Sequence, residues 1–144
     1  MTIEKLMHRH AIVQPADASC YDAAELMRDR GVGSIVVIEQ DEPIGVVTDR
    51  DLVTRVLATR RDPERLSLRD VMSAAPIFLS KQRSLEDAVN TMREFGVRRL
   101  PIVDAHNHPI GVLALDDILM HLARQLGALG QAVERELLKA GSES

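Results

Sequence analysis

Thr48 and Asp51 stand three residues apart at the head of an apolar stretch that includes Leu52, Val53, Val56 and Leu57. Thr-x-x-acid is the spacing of a helix capping box, in which a hydroxyl and a carboxylate each satisfy a backbone N–H of the first turn. The same groups can do other chemistry. A carboxylate accepts from two vicinal hydroxyls, and the unpaired N–H groups at a helix start attract an anion. On spacing alone, capping is the stronger reading.

Other polar residues are weaker candidates. Arg50, beside Asp51, and the pair Arg98-Arg99 could pair with an anion, but neighbours on a strand point to opposite faces, so one of that pair should be solvated. Arg60-Arg61 adjoins Asp62-Pro63 and reads as linker surface. His8 and His10, and His106 and His108, form two His-x-His pairs that would suit Zn or Ni on a strand face. The first pair lies in a linker and the second in a predicted turn, without a cysteine or acid cluster, so both read as solvated and no metal is expected. Cys20, Ser34 and Ser73 lack a His and an acid at recognisable spacing, and no enzymatic activity is expected.

The elements that must position these groups come twice. Sliding the chain by 65 residues lays Met7 on Met72, Ser19 on Ser84, Met27-Arg28 on Met92-Arg93 and Gly31-Val32 on Gly96-Val97. One extra residue between Asp104 and Pro109 then brings Pro43-Ile44-Gly45-Val46 onto Pro109-Ile110-Gly111-Val112, and Asp51 onto Asp117. Units repeated at a fixed period bury their apolar faces against each other, so function is expected between the copies. Each copy has a short helical turn, a brief strand (Ala11 to Val13 in the first), and a helix opened by a Ser-x-x-Asp cap and closed by Gly31 or Gly96. Ala23, Ala24 and Met27, matched by Ala88, Val89 and Met92, give the helices a buried stripe. Two strands follow, Ile35 to Ile38 with Pro43 to Val47 and Leu100 to Val103 with Pro109 to Leu113, joined by turns at Glu39 to Glu42 and Asp104 to His108. A closing helix runs from Asp49 to Thr59 in one copy and from Asp116 onward in the other.

The order β-α-β-β-α, given twice, predicts an α+β fold, sandwich-like, with pseudo-two-fold symmetry and an added C-terminal helix. The expected divisions are repeat 1 over 1–63, repeat 2 over 64–123, and a helical extension with a disordered tail over 124–144. Along that extension Leu119, Leu122, Leu126, Leu129 and Val133 alternate steps of three and four. Either the stripe packs on its own module or it is a contact for a second copy or a partner.

Charge and composition exclude some classes. A net charge of -4 argues against a phosphate-neutralising face, and with only Tyr21, Phe78 and Phe95 aromatic, stacking platforms for nucleic acid are missing. No apolar run approaches the roughly 20 residues of a membrane span or the length of a signal peptide. A lone cysteine, Cys20, fits a reducing compartment, so a cytoplasmic location is expected.

Gly-Val-Val-Thr-Asp-Arg-Asp-Leu at 45–52, with Gly-Val-Arg-Arg-Leu-Pro-Ile-Val-Asp at 96–104 and Gly-Val-Leu-Ala-Leu-Asp-Asp-Ile at 111–118, resembles the cystathionine-β-synthase (CBS) domain pair, or Bateman module. The resemblance covers roughly Thr2 to Leu122 and looks like the stand-alone bacterial or archaeal type. It implies a regulatory module with an adenosine compound between its repeats: AMP, ADP or ATP, with S-adenosylmethionine or NAD less favoured, and no covalent cofactor. It also implies a homodimer through the repeat helices and an unknown regulated protein, with the ligand-free interaction scaffold as the alternative. By the family pattern Thr48 contacts phosphate and Asp51 the ribose hydroxyls. Asp117 keeps the ribose position in copy two, where Ala114 replaces the hydroxyl residue. Arg98 and Arg99 are taken with copy two's own cleft, facing phosphate, where copy one has Gly33 and Ser34. The base would lie against Ile12 and Val13, or Ile77 and Phe78, and the strand of Val36 or Pro101.

Overall fold

The computed structural model describes residues 2–74 and 78–143. Its order is a 3-10 turn at Ile3–Lys5, β1 His8–Arg9, β2 Val13–Pro15, α1 Cys20–Arg30, β3 Ser34–Glu39, β4 Glu42–Thr48 and α2 Asp49–Leu52, which relaxes into a π turn at Val53–Leu57. Then come α3 Leu68–Val71, β5 Ser73–Ala74, β6 Leu79–Ser80, α4 Leu85–Phe95, β7 Arg99–Val103, β8 Pro109–Ala114 and α5 Leu115–Glu143. The mixed α+β architecture is the one expected.

The helix boundaries follow from local chemistry. Ser84 and Asp87 form a complete capping box at α4, whereas Ser19 accepts only the Asp22 amide at α1. Gly31 and Gly96 end those helices at φ 65, a left-handed turn that a Cβ would disfavour. The β3–β4 hairpin turns on Gln40 and Asp41, both at positive φ, as a two-residue turn matched to strand twist. In copy two the Asp104 carboxylate organises the longer turn by accepting the His106 and His108 amides, which hold its pKa below the usual range.

The sheets trade strands. One has the order β2-β3-β4-β5 and the other β1-β8-β7-β6. Thus β1, which opens copy one, pairs antiparallel with β8 of copy two, and β5, which opens copy two, pairs with β4 of copy one. The cores are crossed in the same way. Leu68 and Val71 complete the cluster of Cys20, Ala23, Met27, Ile35, Val37 and Val47, while Ile3 joins Ala88, Met92, Leu100, Ile102, Leu113 and Ile118. Strand alternation puts Val36 and Val46 on the sheet face opposite Ile35, Val37 and Val47, and they are buried there too. β3 is therefore covered on both faces.

The long helix α5 corrects one of the two expectations for its stripe. Leu126, Leu129 and Val133 do not pack on their own module: they are 70%, 63% and 56% exposed. Gly127 and Gly130 also meet nothing within 4 Å of an added Cβ. No helix among the described residues is long and apolar enough to cross a membrane.

Candidate functional site

Two clefts lie where the copies meet, and each takes its walls from both. The first, about 250 Å³, is lined by Val46, Thr48 and Asp51 of copy one with Ser73, Ala74, Gly96, Val97, Arg98 and Arg99. The second, about 420 Å³, brings Val112, Ala114, Asp116 and Asp117 of copy two against His8, His10, Ile12 and the Gly31–Ser34 turn. The Gly96–Arg99 turn and the Gly31–Ser34 turn are equivalents under the repeat shift. So are the strands carrying Ser73 and His8.

This arrangement crosses the pairing expected from sequence. Thr48 and Asp51 face Arg98 and Arg99 rather than Gly33 and Ser34, because each cleft is closed by the other copy's turn and exchanged strand. Ile12 lines the Asp117 cleft. Val13 lines neither: its backbone pairs with Val36 in the sheet and its side chain is exposed. Arg50 lines neither as well, lying exposed at the start of α2. Ile77 falls outside the described residues.

At the first cleft the capping box is complete. The Thr48 hydroxyl accepts the Asp51 amide at 3.1 Å, and Asp51 Oδ2 accepts the Thr48 amide at 2.9 Å. Asp51 Oδ1 forms an ion pair with Arg55, Nε at 3.8 Å, too far for a hydrogen bond, so its lone pairs can still accept from a donor. Arg98 is drawn toward Asp116, with Nη2 3.3 Å from its carboxylate. Arg99 has no side-chain partner among the described residues and lines both clefts. A guanidinium without a carboxylate, beside a hydroxyl and a carboxylate oxygen outside any hydrogen bond, can take an anionic group and a diol together.

At the second cleft the pattern changes. Ala114 offers no hydroxyl, and its amide reaches Asp117 Oδ2 at 3.3 Å. His8 Nε2 lies 3.1 Å from Oδ1 and 3.0 Å from Oδ2 of the same carboxylate. No local signal pointed to His8 here, because its place depends on β1 crossing to the other sheet. Ser73 reads from sequence only as a nucleophile, and the repeat shift that lays it on His8 is the signal for its place in the first cleft.

Burial pushes the Cys20 thiol up, helped by the nearby Asp70 carboxylate and opposed by Arg61, so it is a poor nucleophile. Among the described residues no three His, Cys, Asp or Glu side chains gather as a metal set.

The CBS domain profile matches residues 3–58 and 68–124. The chain belongs to the CBS domain family. It is 36% identical over 120 residues to an uncharacterized protein of Methanopyrus kandleri, covering 83% of this chain and 61% of that one. It therefore spans less than two thirds of that relative. The CBS domain-containing protein YhcV of Bacillus subtilis is 39% identical over 111 residues, 77% of each chain. Among solved structures, the CBS domain pair of protein MJ0100, in complex with 5′-methylthioadenosine and S-adenosylmethionine, superposes with a TM-score of 0.72 at 15% identity, covering 85% of this chain and 99% of that one. At that identity the likeness concerns the fold.

Proposed function

We propose that this CBS pair is a regulatory sensor that binds AMP, ADP or ATP in the cleft of Thr48, Asp51, Arg98 and Arg99, without catalysis of its own. One observation carries this: a hydroxyl, a carboxylate with one oxygen outside any hydrogen bond, and a guanidinium without a side-chain partner among the described residues converge there from different copies. Asp51 Oδ1 would accept from the ribose hydroxyls while Oδ2 keeps its bond to the Thr48 amide, so the helix cap need not break. Thr48 and Arg99 would take the phosphate. The adenosine compounds in protein MJ0100 show what a pair of this fold can hold.

An adenylate bridging the copies favours whichever relative packing it binds better, which is how occupancy would reach a partner. The proposed assembly is a cytoplasmic homodimer through the repeat helices, where Val53, Leu57, Phe95 and Leu119 are exposed. A thermal-shift panel of AMP, ADP, ATP, S-adenosylmethionine and NAD tests the sensor function. Ligand at 100 times its Kd stabilises by about 2.7 kcal/mol, a rise of several degrees. No rise with any of the five rejects it.

A second function, the ligand-free interaction scaffold, is favoured by the closed capping box and by a cleft of about 250 Å³. Ligand sites usually measure about 300–1,000 Å³. The scaffold predicts the same dimer with a flat thermal panel.

A further inference from the structure

We propose that His8 occupies the diol-binding carboxylate of the second cleft, so that two clefts built from the same elements fill unequally. The inference rests on the adenylate function proposed above. Size does not explain an inequality in this direction, since the Asp117 cleft is the larger at about 420 Å³. The difference is in the carboxylates. Both Asp117 oxygens lie within 3.1 Å of His8 Nε2, and Oδ2 also takes the Ala114 amide. Asp51 keeps Oδ1 clear of any hydrogen bond.

The backbone explains why His8 is there. β1 pairs with β8 in the register His8 to Val112 and Arg9 to Gly111, which sets His8 above the first turn of α5. At Gly111 the strands are so close that an added Cβ would fall 2.5 Å from the His8 carbonyl oxygen, so β1 cannot slide without losing this approach. Ser73 holds the equivalent place on β5 and makes no side-chain bond to Asp51. One residue therefore separates a carboxylate with one oxygen outside any hydrogen bond from one with both oxygens engaged. A ribose diol would have to displace the imidazole, because both compete for the same lone pairs. The His8 side chain is 75% exposed and free to turn toward water, so it acts as a removable plug.

Calorimetric titration of the full chain with AMP tests this. The wild type should take up one AMP per chain, at the Asp51 cleft. His8→Ser, which copies the Ser73 arrangement, should take up two, the second at least tenfold tighter than any second event in the wild type. His8→Ser with Asp117→Asn should return to one, and His8→Ser with Asp51→Ala should keep one. A His8→Ser variant that still binds one AMP overturns the proposal, as does a wild type that already binds two with affinities the substitution leaves unchanged. Both outcomes leave the adenylate function standing. Absence of binding in every variant rejects that function and the plug with it. The contact itself is read from the His8 ring nitrogen resonances, which should move in Asp117→Asn; unchanged resonances overturn the proposal without reference to any ligand.

Discussion

Arg69 grips Glu39 with two guanidinium nitrogens, Nη1 donating to Oε2 at 3.2 Å and Nη2 to Oε1 at 2.8 Å. Glu39 ends β3 of copy one and Arg69 lies on α3, the helix that opens copy two, so the pair fastens the exchanged segment to the sheet it joins. The hydrogen bonds and charge of the guanidinium hold the Glu39 carboxyl below the usual range. A carboxyl with a lowered native pKa stabilises the fold above its unfolded pKa, and that contribution is lost as pH falls through the native value. Glu39→Gln should therefore be less stable than wild type at neutral pH and converge with it in acid. Urea midpoints across pH check this, and because the pair is exposed the gap should shrink with added salt.

Leu68 is fully buried in the core of copy one although it belongs to copy two in sequence. Leu68→Ala should cost about 2–5 kcal/mol, the range for a core leucine truncation. Hydrogen exchange should show the loss first in α1 and β3. If α4 and β7 lose protection first, the strand exchange is wrong.

The reciprocal bonds of Thr48 and Asp51 predict a cost for removing the cap. Thr48→Ala should destabilise by about 0.5–2 kcal/mol in urea unfolding, the usual loss for an N-cap hydroxyl. It should also weaken AMP more than adenosine, since the hydroxyl is assigned to the phosphate. Equal losses for both ligands would make Thr48 a cap only.

Val53 and Leu119 occupy matching places in the two repeats and both are 54% exposed. If the repeat helices pair two copies, Val53→Glu with Leu119→Glu should raise the dimer dissociation constant by tenfold or more, measured by sedimentation. An unchanged mass distribution would move the contact elsewhere, with the α5 stripe around Leu126 the next surface to alter.

Much of this architecture was legible where short-range chemistry decides it. The Ser84–Asp87 cap, the Gly31 and Gly96 stops, the β-branched run of β3 and the internal repeat all act within a few residues or by direct self-similarity. The strand exchange was not legible. His8 and Arg9 are polar and form only two residues of strand, so no periodicity marks them, and their pairing with Val112 and Gly111 is set by packing across the molecule. The composition of each cleft follows from that exchange. Thr48 and Asp51 could be picked out from spacing and resemblance, but Arg99 and Ser73 become their neighbours only once β5 lies on β4. The strand expected at Ala11 to Val13 is β2, which sits later, at Val13–Pro15, after His10 turns the chain at positive φ.

An adenylate held between the copies by Asp51, Thr48 and Arg99 should be visible in a crystal structure grown with saturating AMP. Ribose hydroxyls are expected within hydrogen-bond distance of Asp51 Oδ1, and phosphate oxygens at Thr48 Oγ1 and the Arg99 guanidinium. A nucleotide bound away from these residues, or a clear Thr48–Asp51 cleft at saturating AMP, would contradict that placement.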